Sequence, residues 1–258
     1  MATTTMNETD FFVTPPPVEA ETFEPPTIPA IVISDPHGVA AEQYRVLRYR
    51  MECLQRAGHK AIAFTSAQSG EGRTTTVVNL ALTLARGGQN RVALVDLDLR
   101  RPGVADMLGL HARSGLCDVV ARRVRLDEAL WQLGREELYV LPAGRVPEDH
   151  TSVLYDPNLA ELLTGLKARF DFVLVDTPPI LPLADVATLC QSLDGAVMVV
   201  RAGTTSRELV ESATSALYDV PIHGMILNDV DPSATLTLQI QDRLPAKSTY
   251  RRALPSHH

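Results

Sequence analysis

No apolar run in this 258-residue chain approaches the ~18 residues that cross a bilayer, and no basic flank precedes an apolar stretch near its start. Neither a spanning helix nor a secretory leader is expected, which places the chain in the cytoplasm. Cysteine is scarce: Cys53, Cys117 and Cys190 lie far apart with no C-x-x-C pair. That excludes a disulfide framework and the zinc and iron–sulfur spacings, and the three thiols read as small buried hydrophobes. Positive charge is short as well. There are 31 acidic against 24 basic residues, a formal charge of −7, and a pI near 5.5. Phosphate-coating surfaces are basic, so no nucleic-acid partner is expected. Lysine is nearly absent, with only Lys60, Lys167 and Lys247 beside 21 arginines.

What is present is an ordinary globular balance, 45% hydrophobic and 21% charged, sufficient for one sizeable core. The start differs from the rest. Residues 1–33 carry six prolines, many threonines and the acids Glu8, Asp10, Glu19, Glu21 and Glu24, and the first Lys or Arg of the chain is Arg45. Such a segment buries too little apolar surface to offset its ordering entropy, and it reads as a disordered arm. Phe11, Phe12 and Phe23 stand in it as docking anchors or simply as part of a loose tail.

From residue 61 a regular alternation begins. The apolar runs AIAFTS (61–66), RVALVDLD (91–98), ELYVLPAG (137–144), DFVLVD (171–176), GAVMVV (195–200) and PIHGMILN (221–228) are separated by helix-period stretches. Those stretches include TTTVVNLALTLAR, NLAELLTGLKARF, LADVATLCQSL and SRELVESATSALYDV. Buried runs alternating with amphipathic helices describe one α/β domain over 34–231, a doubly wound and mostly parallel sheet with helices on both faces. After Asp231 the periodicity fades, so 232–258 reads as a flexible tail.

TSAQSGEGRTTT follows the first strand and opens a helix. Set against G-x-x-x-x-G-K-[ST], the loop runs from Ala67 to Thr74, with Ala67 at the first glycine position and Arg73 at the lysine position. Gly70 and Gly72 allow the backbone to wrap closely, so that successive N–H groups and the helix N-terminus face phosphate oxygens. Thr74 brings a hydroxyl to the place of a Mg²⁺ ligand. Arg73 keeps the lysine's charge but carries a larger planar fork, which must adopt another pose. The strand–loop–helix context supports a phosphate-binding loop over a plain glycine turn.

Two further runs end on acids: VALVDLDLRRP in Asp96 and Asp98, FDFVLVDTPP in Asp176. Ligands of open parallel sheets bind outside such carboxyl ends. If the strand persists through residue 98, Asp96 and Asp98 share one face and one cation site. Each Asp taken singly also suits a cap for the next element, and a D-x-D pair fits a glycosyltransferase metal site. The phosphate loop favours a magnesium–nucleotide site.

The ordered set SAQSGEGRTTTVVNLA, VDLDLRRP, VDTPPI and DVATL…DGAVMVVRAGTT…GMILN resembles the bacterial tyrosine kinases of polysaccharide synthesis, P-loop ATPases with a deviant loop. Upstream, AAEQYRVLR supplies Glu42, Arg45 and Arg48, which match that family's E-x-x-R-x-x-R motif. The likeness spans residues 34 to about 230. It implies a P-loop domain that binds ATP and Mg²⁺ and assembles into a homo-oligomeric ring through Glu42, Arg45 and Arg48. Read without it, those three are a solvated helix face. It further implies control by the cytoplasmic segment of a membrane-spanning polysaccharide co-polymerase, here encoded separately, which recruits the chain to the inner face of the membrane.

Carried over residue by residue, the resemblance assigns Gly70, Glu71, Gly72, Arg73, Thr74 and Thr75 to the nucleotide phosphates and Asn228 to the base. It assigns Thr74, Asp96, Asp98 and Asp176 to magnesium, with Asp96, Asp98 and Arg73 as the catalytic set. The chain departs from the family at Arg73, and in its tail, where Tyr250 is the only tyrosine after Tyr218 and so the one tail phosphoacceptor. Both departures point to a pseudokinase with reduced activity. A partition or division-site ATPase of the same superfamily is the alternative, but that group carries a lysine where this chain has Gln68.

Overall fold

The computed structural model describes residues 30–133, 136–181 and 185–230. The arm before residue 30 and the tail after 230, including Tyr250, lie outside the described residues. Seven strands form one sheet: β1 (Ala61–Ser66), β2 (Val92–Asp96), β3 (Trp131–Gln132), β4 (Leu138–Leu141), β5 (Phe172–Asp176), β6 (Gly195–Arg201) and β7 (Ile222–Asn228). Their order is β3-β4-β2-β5-β1-β6-β7, and every neighbouring pair is parallel except β3–β4. The helices are α1 (Ile31–Ser34), α2 (Val39–Arg56), α3 (Arg73–Ala85), α4 (Val104–Met107), α5 (Leu116–Val120), α6 (Leu126–Ala129), α7 (Thr151–Leu154), α8 (Pro157–Arg169), α9 (Asp185–Cys190) and α10 (Arg207–Ala216).

Side chains alternate across a strand, and both sides of the central strands are apolar, so the sheet is buried on both faces. On one side Ile62, Phe64, Leu94, Leu174 and Val199 pack against Val77, Leu80 and Leu84 of α3 and Met51 of α2. On the other, Ala63, Val95, Val173 and Met198 meet Leu162 and Leu166 of α8, Leu189 of α9 and Ala213 of α10. The doubly wound architecture expected from the alternation is therefore the one observed. Cys117 and Cys190 are buried and Cys53 is half-buried, all three as free thiols. Among the described residues no helix is long and apolar enough to cross a membrane.

The helices carry their own stop and start signals. Asp156 caps α8 by accepting from the Asn158 amide at 2.9 Å, with Pro157 in the first turn and Lys167 and Arg169 in the last. Ser206 caps α10 through the Leu209 amide. The structure also departs from the sequence expectations in three places. The second strand stops at Asp96, so Asp98 leaves the strand alternation and does not share a strand face with it. The edge strand β3 is too short to show a period. Residues 30–33, assigned to the arm by composition, join the fold: Ala30 and Val32 are buried, and the Val32 amide donates to Asn79 Oδ1 of α3 at 3.2 Å.

Chain order places the site. From β1 the chain moves to β2 and β4 on one side, and later to β6 and β7 on the other. The direction reverses at β1, and the loop that follows β1 lies outside the carboxyl ends of the strands.

Candidate functional site

The loop after β1 is shaped by two left-handed glycines, Gly70 at φ 84° and Gly72 at φ 85°. Gly72 is also the N-cap of α3 and supplies no capping side chain, which leaves the helix N-terminus open to an anion. A Cβ on Gly72 would come within 2.0 Å of Asn228 Nδ2, so this position needs glycine for space as well as for φ. The loop is braced from within. The Gln68 amide donates to Glu71 Oε2 at 2.9 Å, and the Ser66 hydroxyl donates to the Gln68 carbonyl at 2.7 Å. It is braced from outside too: Thr205, just past β6, donates to Glu71 Oε1, and Asn228, closing β7, donates through Nδ2 to the Glu71 carbonyl at 3.0 Å. Glu71 is buried by these contacts. Asn228, assigned to the base from sequence, thus gives one of its amide hydrogens to the phosphate loop.

Arg73 opens α3 but does not reach into solvent. Its side chain is buried, with Nη2 donating to Asp98 Oδ2 at 2.7 Å and Nη1 to the Ser66 hydroxyl at 3.2 Å. Nε has no hydrogen-bond partner among the described residues. The guanidinium therefore lies beneath the loop, its charge matched by the Asp98 carboxylate.

Asp96 and Asp176 end adjacent strands and are register partners across β2 and β5. Both are fully buried. Asp96 Oδ2 accepts from the amides of Gly103 at 3.1 Å and Val104 at 3.0 Å, capping α4. Asp176 Oδ2 accepts from the Thr74 hydroxyl at 2.5 Å. Each keeps a buried Oδ1 without a hydrogen-bond partner among the described residues. Burial, and then the Asp176 carboxylate beside it, push Asp96 up to about 8. Burial pushes Asp176 up to about 7, against the opposing pull of Arg73 and the Thr74 hydroxyl.

Two orphaned carboxylate oxygens beside a threonine hydroxyl at the foot of a phosphate loop fit Mg²⁺. That ion takes one or two carboxylates and fills the rest of its octahedron with water and phosphate oxygens. Among the described residues no three His, Cys, Asp or Glu side chains form a ready cage. The structure brings Asp96, Asp176 and Thr74 together and gives Asp98 to Arg73. Sequence reading gave no role to Ser66, Thr205 or the Gly103 and Val104 amides. A hydroxyl in a loop, or an amide on a helix that does not yet exist, carries no pattern of its own.

Glu42, Arg45 and Arg48 all lie on α2, as the spacing implied. Arg45 pairs with Glu42 at the exposed surface and donates to the Pro36 carbonyl at 2.6 Å. Arg48 turns inward: Nε donates to Glu52 at 2.9 Å, and Nη1 to the Thr83 and Arg86 carbonyls at 3.3 and 3.5 Å, at the C-terminal end of α3. It fastens α2 to α3 where the helix dipole favours a cation.

The comparisons with known proteins agree with this geometry. The AAA domain family matches residues 59–217. A tyrosine-protein kinase of Bacillus subtilis, YwqD, is 35% identical over 188 residues, covering 72% of this chain and 79% of that one. The tyrosine-protein kinase wzc of Salmonella typhi is 27% identical over 80% of this chain, but over only 29% of its own length. Among solved structures, the kinase domain of the Escherichia coli tyrosine kinase ETK superposes with a TM-score of 0.76 at 26% identity, covering 84% and 86% of the two chains. The cell division ATPase MinD of Pyrococcus furiosus superposes less fully, at 0.56 and 29% identity over 68% and 77%. A match of that strength over most of both chains, joined to a P-loop sheet that superposes on kinase domains, makes this chain a member of the bacterial tyrosine-protein kinase family within the P-loop ATPases.

Proposed function

We propose that the chain binds ATP with Mg²⁺ in the cytoplasm and regulates polysaccharide polymerisation and export as a kinase of low intrinsic turnover. The observation that carries the reading is the buried Arg73–Asp98 pair. A loop cation contributes to phosphoryl transfer by meeting charge that develops on the phosphates, and removing one preorganised donor typically lowers the rate ~10²–10³-fold. Here the cation at that position is matched by a carboxylate instead. The loop backbone, with Gly70, Glu71, Gly72, Thr74 and Thr75, holds the phosphates. Thr74, Asp96 and Asp176 hold the magnesium, which supplies charge neutralisation when bound. Asp98 is freed for the acceptor hydroxyl only when Arg73 swings away.

The proposed partner is the cytoplasmic segment of a membrane-spanning co-polymerase, which brings the chain to the inner face of the membrane. The reading is supported by the wzc kinase, more than two thirds of whose length lies outside the match. Ring assembly through Glu42, Arg45 and Arg48 belongs to the same proposal, and Tyr250 is its one tail phosphoacceptor.

The test measures ATP binding and turnover by the full chain, with and without the partner's cytoplasmic segment. Mg²⁺-dependent binding with very slow turnover is expected, rising in Arg73→Lys. Slight tail phosphorylation should vanish in Tyr250→Phe. Robust phosphorylation of the wild-type chain on several tyrosines, with no other kinase present, would overturn the low-turnover reading.

A further inference from the structure

With Arg73 committed beneath the loop, a different cation stands above it. Arg101 follows β2 and is exposed. Its backbone amide donates to the Asp98 carbonyl at 3.1 Å and to Asp98 Oδ1 at 3.2 Å, which fixes where the side chain begins. Its Nη1 then donates to the Ser69 hydroxyl in the crown of the phosphate loop at 3.2 Å. The side chain therefore spans the mouth of the site, from the acidic segment after β2 to the loop after β1.

The two arginines divide the carboxylate between them in opposite senses. Asp98 Oδ2 takes the Arg73 guanidinium, whereas Oδ1 takes the Arg101 backbone amide. The Arg101 guanidinium forms no ion pair among the described residues, and a single neutral hydroxyl holds it. A neutral hydrogen bond to an exposed group contributes little net stability. An incoming phosphate offers charge-assisted, bidentate bonds that are roughly twice as strong. Exchange of Ser69 for phosphate is therefore favourable, and the guanidinium has no carboxylate to leave behind.

We infer that Arg101 is a nucleotide-binding residue of this chain, whose guanidinium moves from Ser69 to the terminal phosphate and so distinguishes a nucleoside triphosphate from a diphosphate. The inference rests on the nucleotide reading above. It adds a residue to which neither the loop motif nor the strand-end aspartates assign any part. The loop amides and the α3 N-terminus serve phosphates common to both nucleotides. A cation at the mouth, reaching in from the segment after β2, adds its charge only where a further phosphate extends beyond them.

The experiment is equilibrium binding of ATP and of ADP, each with Mg²⁺, to the full-length wild type, Arg101→Ala, Arg101→Lys and Ser69→Ala. Arg101→Ala should weaken ATP roughly tenfold or more and leave ADP within about twofold, since a charged hydrogen bond to a phosphate is lost only from the triphosphate. Arg101→Lys should recover part of the ATP affinity, and Ser69→Ala should leave it equal or slightly stronger, because the competing tether is gone. Equal weakening of ATP and ADP in Arg101→Ala would assign the residue to loop shape instead and overturn the inference, as would no weakening of either. A wild-type chain that binds neither nucleotide overturns the nucleotide reading, and this inference with it. Because Arg101 is exposed, the unfolding midpoint of Arg101→Ala should match wild type without nucleotide, which separates lost contact from lost fold.

Discussion

Arg73 Nη2 lies 2.7 Å from Asp98 Oδ2, and the pair joins the phosphate loop to the segment after β2 with both side chains buried. A lysine reaching from the same position ends in a compact ammonium. The guanidinium is planar and longer, and its fork engages Ser66 and Asp98 at once. The residue that departs from the loop pattern is thereby also the residue that neutralises Asp98, just past the end of β2. Both effects share one cause.

Removing one member of that pair leaves the other charged and buried. Asp98→Ala should lower unfolding stability by about 3–5 kcal/mol, as read from urea midpoints. Arg73→Lys should destabilise much less, because the ammonium can still reach either the carboxylate or solvent. A loss in Asp98→Ala below about 1 kcal/mol would mean that water reaches the pair.

Asp96 and Asp176 make stability without metal depend on pH in a definite direction. Both carboxyls hold protons more tightly folded, at about 8 and about 7, than in the unfolded chain, where a carboxylate titrates near 3.9. The native state then binds more protons, so their contribution is fully present below about pH 4 and is lost as pH rises towards 8. Asp96→Asn keeps an oxygen for the Gly103 and Val104 amides and removes the ionisation. Its melting temperature should therefore exceed wild type at pH 8 without Mg²⁺, with little difference at pH 5. Added Mg²⁺ should stabilise wild type more at pH 8 than at pH 6, since the ion requires ionised carboxylates. A Mg²⁺ effect independent of pH would argue against these two acids as its ligands.

Two glycines of one loop should respond differently to alanine. Gly70 and Gly72 share nearly the same φ, so each substitution carries the ~1–2 kcal/mol of a left-handed L-residue. A Cβ on Gly70 meets open space, whereas on Gly72 it meets Asn228 Nδ2. Gly72→Ala should be the more destabilising and should also weaken nucleotide binding, because Asn228 must release the Glu71 carbonyl. In the double variant Gly72→Ala/Asn228→Ala the clash is gone, so the combined loss should be smaller than the sum of the singles. Additive losses would show that Asn228 is not the obstacle.

On α2, assembly and stability should separate by residue. Arg45→Glu alters an exposed pair and should reduce the mass seen by light scattering while leaving the melting temperature close to wild type. Arg48→Ala removes a cation from the C-terminal carbonyls of α3 and should lower the melting temperature measurably. An Arg45→Glu variant with unchanged mass, set against a wild-type oligomer, would remove α2 from the interface.

The α/β class, the positions of the long strands and the phosphate loop were legible because each rests on local pattern. AIAFTS, FVLVD and GAVMVV are apolar on both faces, and a strand so composed has to lie inside a parallel sheet. Gly70 and Gly72 announced a tight turn, and the E-x-x-R-x-x-R spacing placed Glu42, Arg45 and Arg48 on one helix. Composition assigned residues 30–33 to the acidic arm, whereas Ala30 and Val32 are drawn into the fold by burial against neighbours distant in sequence. Pairing between distant residues has no such local signature. That Asp96 sits beside Asp176 follows from β5 inserting next to β2. That Arg73 meets Asp98 follows from β2 ending two residues early. That Asn228 braces Glu71 depends on β7 closing the far edge of the sheet. The sequence by itself determined the sheet, the loop after its first strand and the helix on which the candidate residues stand, because each rests on local pattern. Tertiary structure decided which charges are neutralised, because a charge in the interior is governed by the partner that packing places beside it.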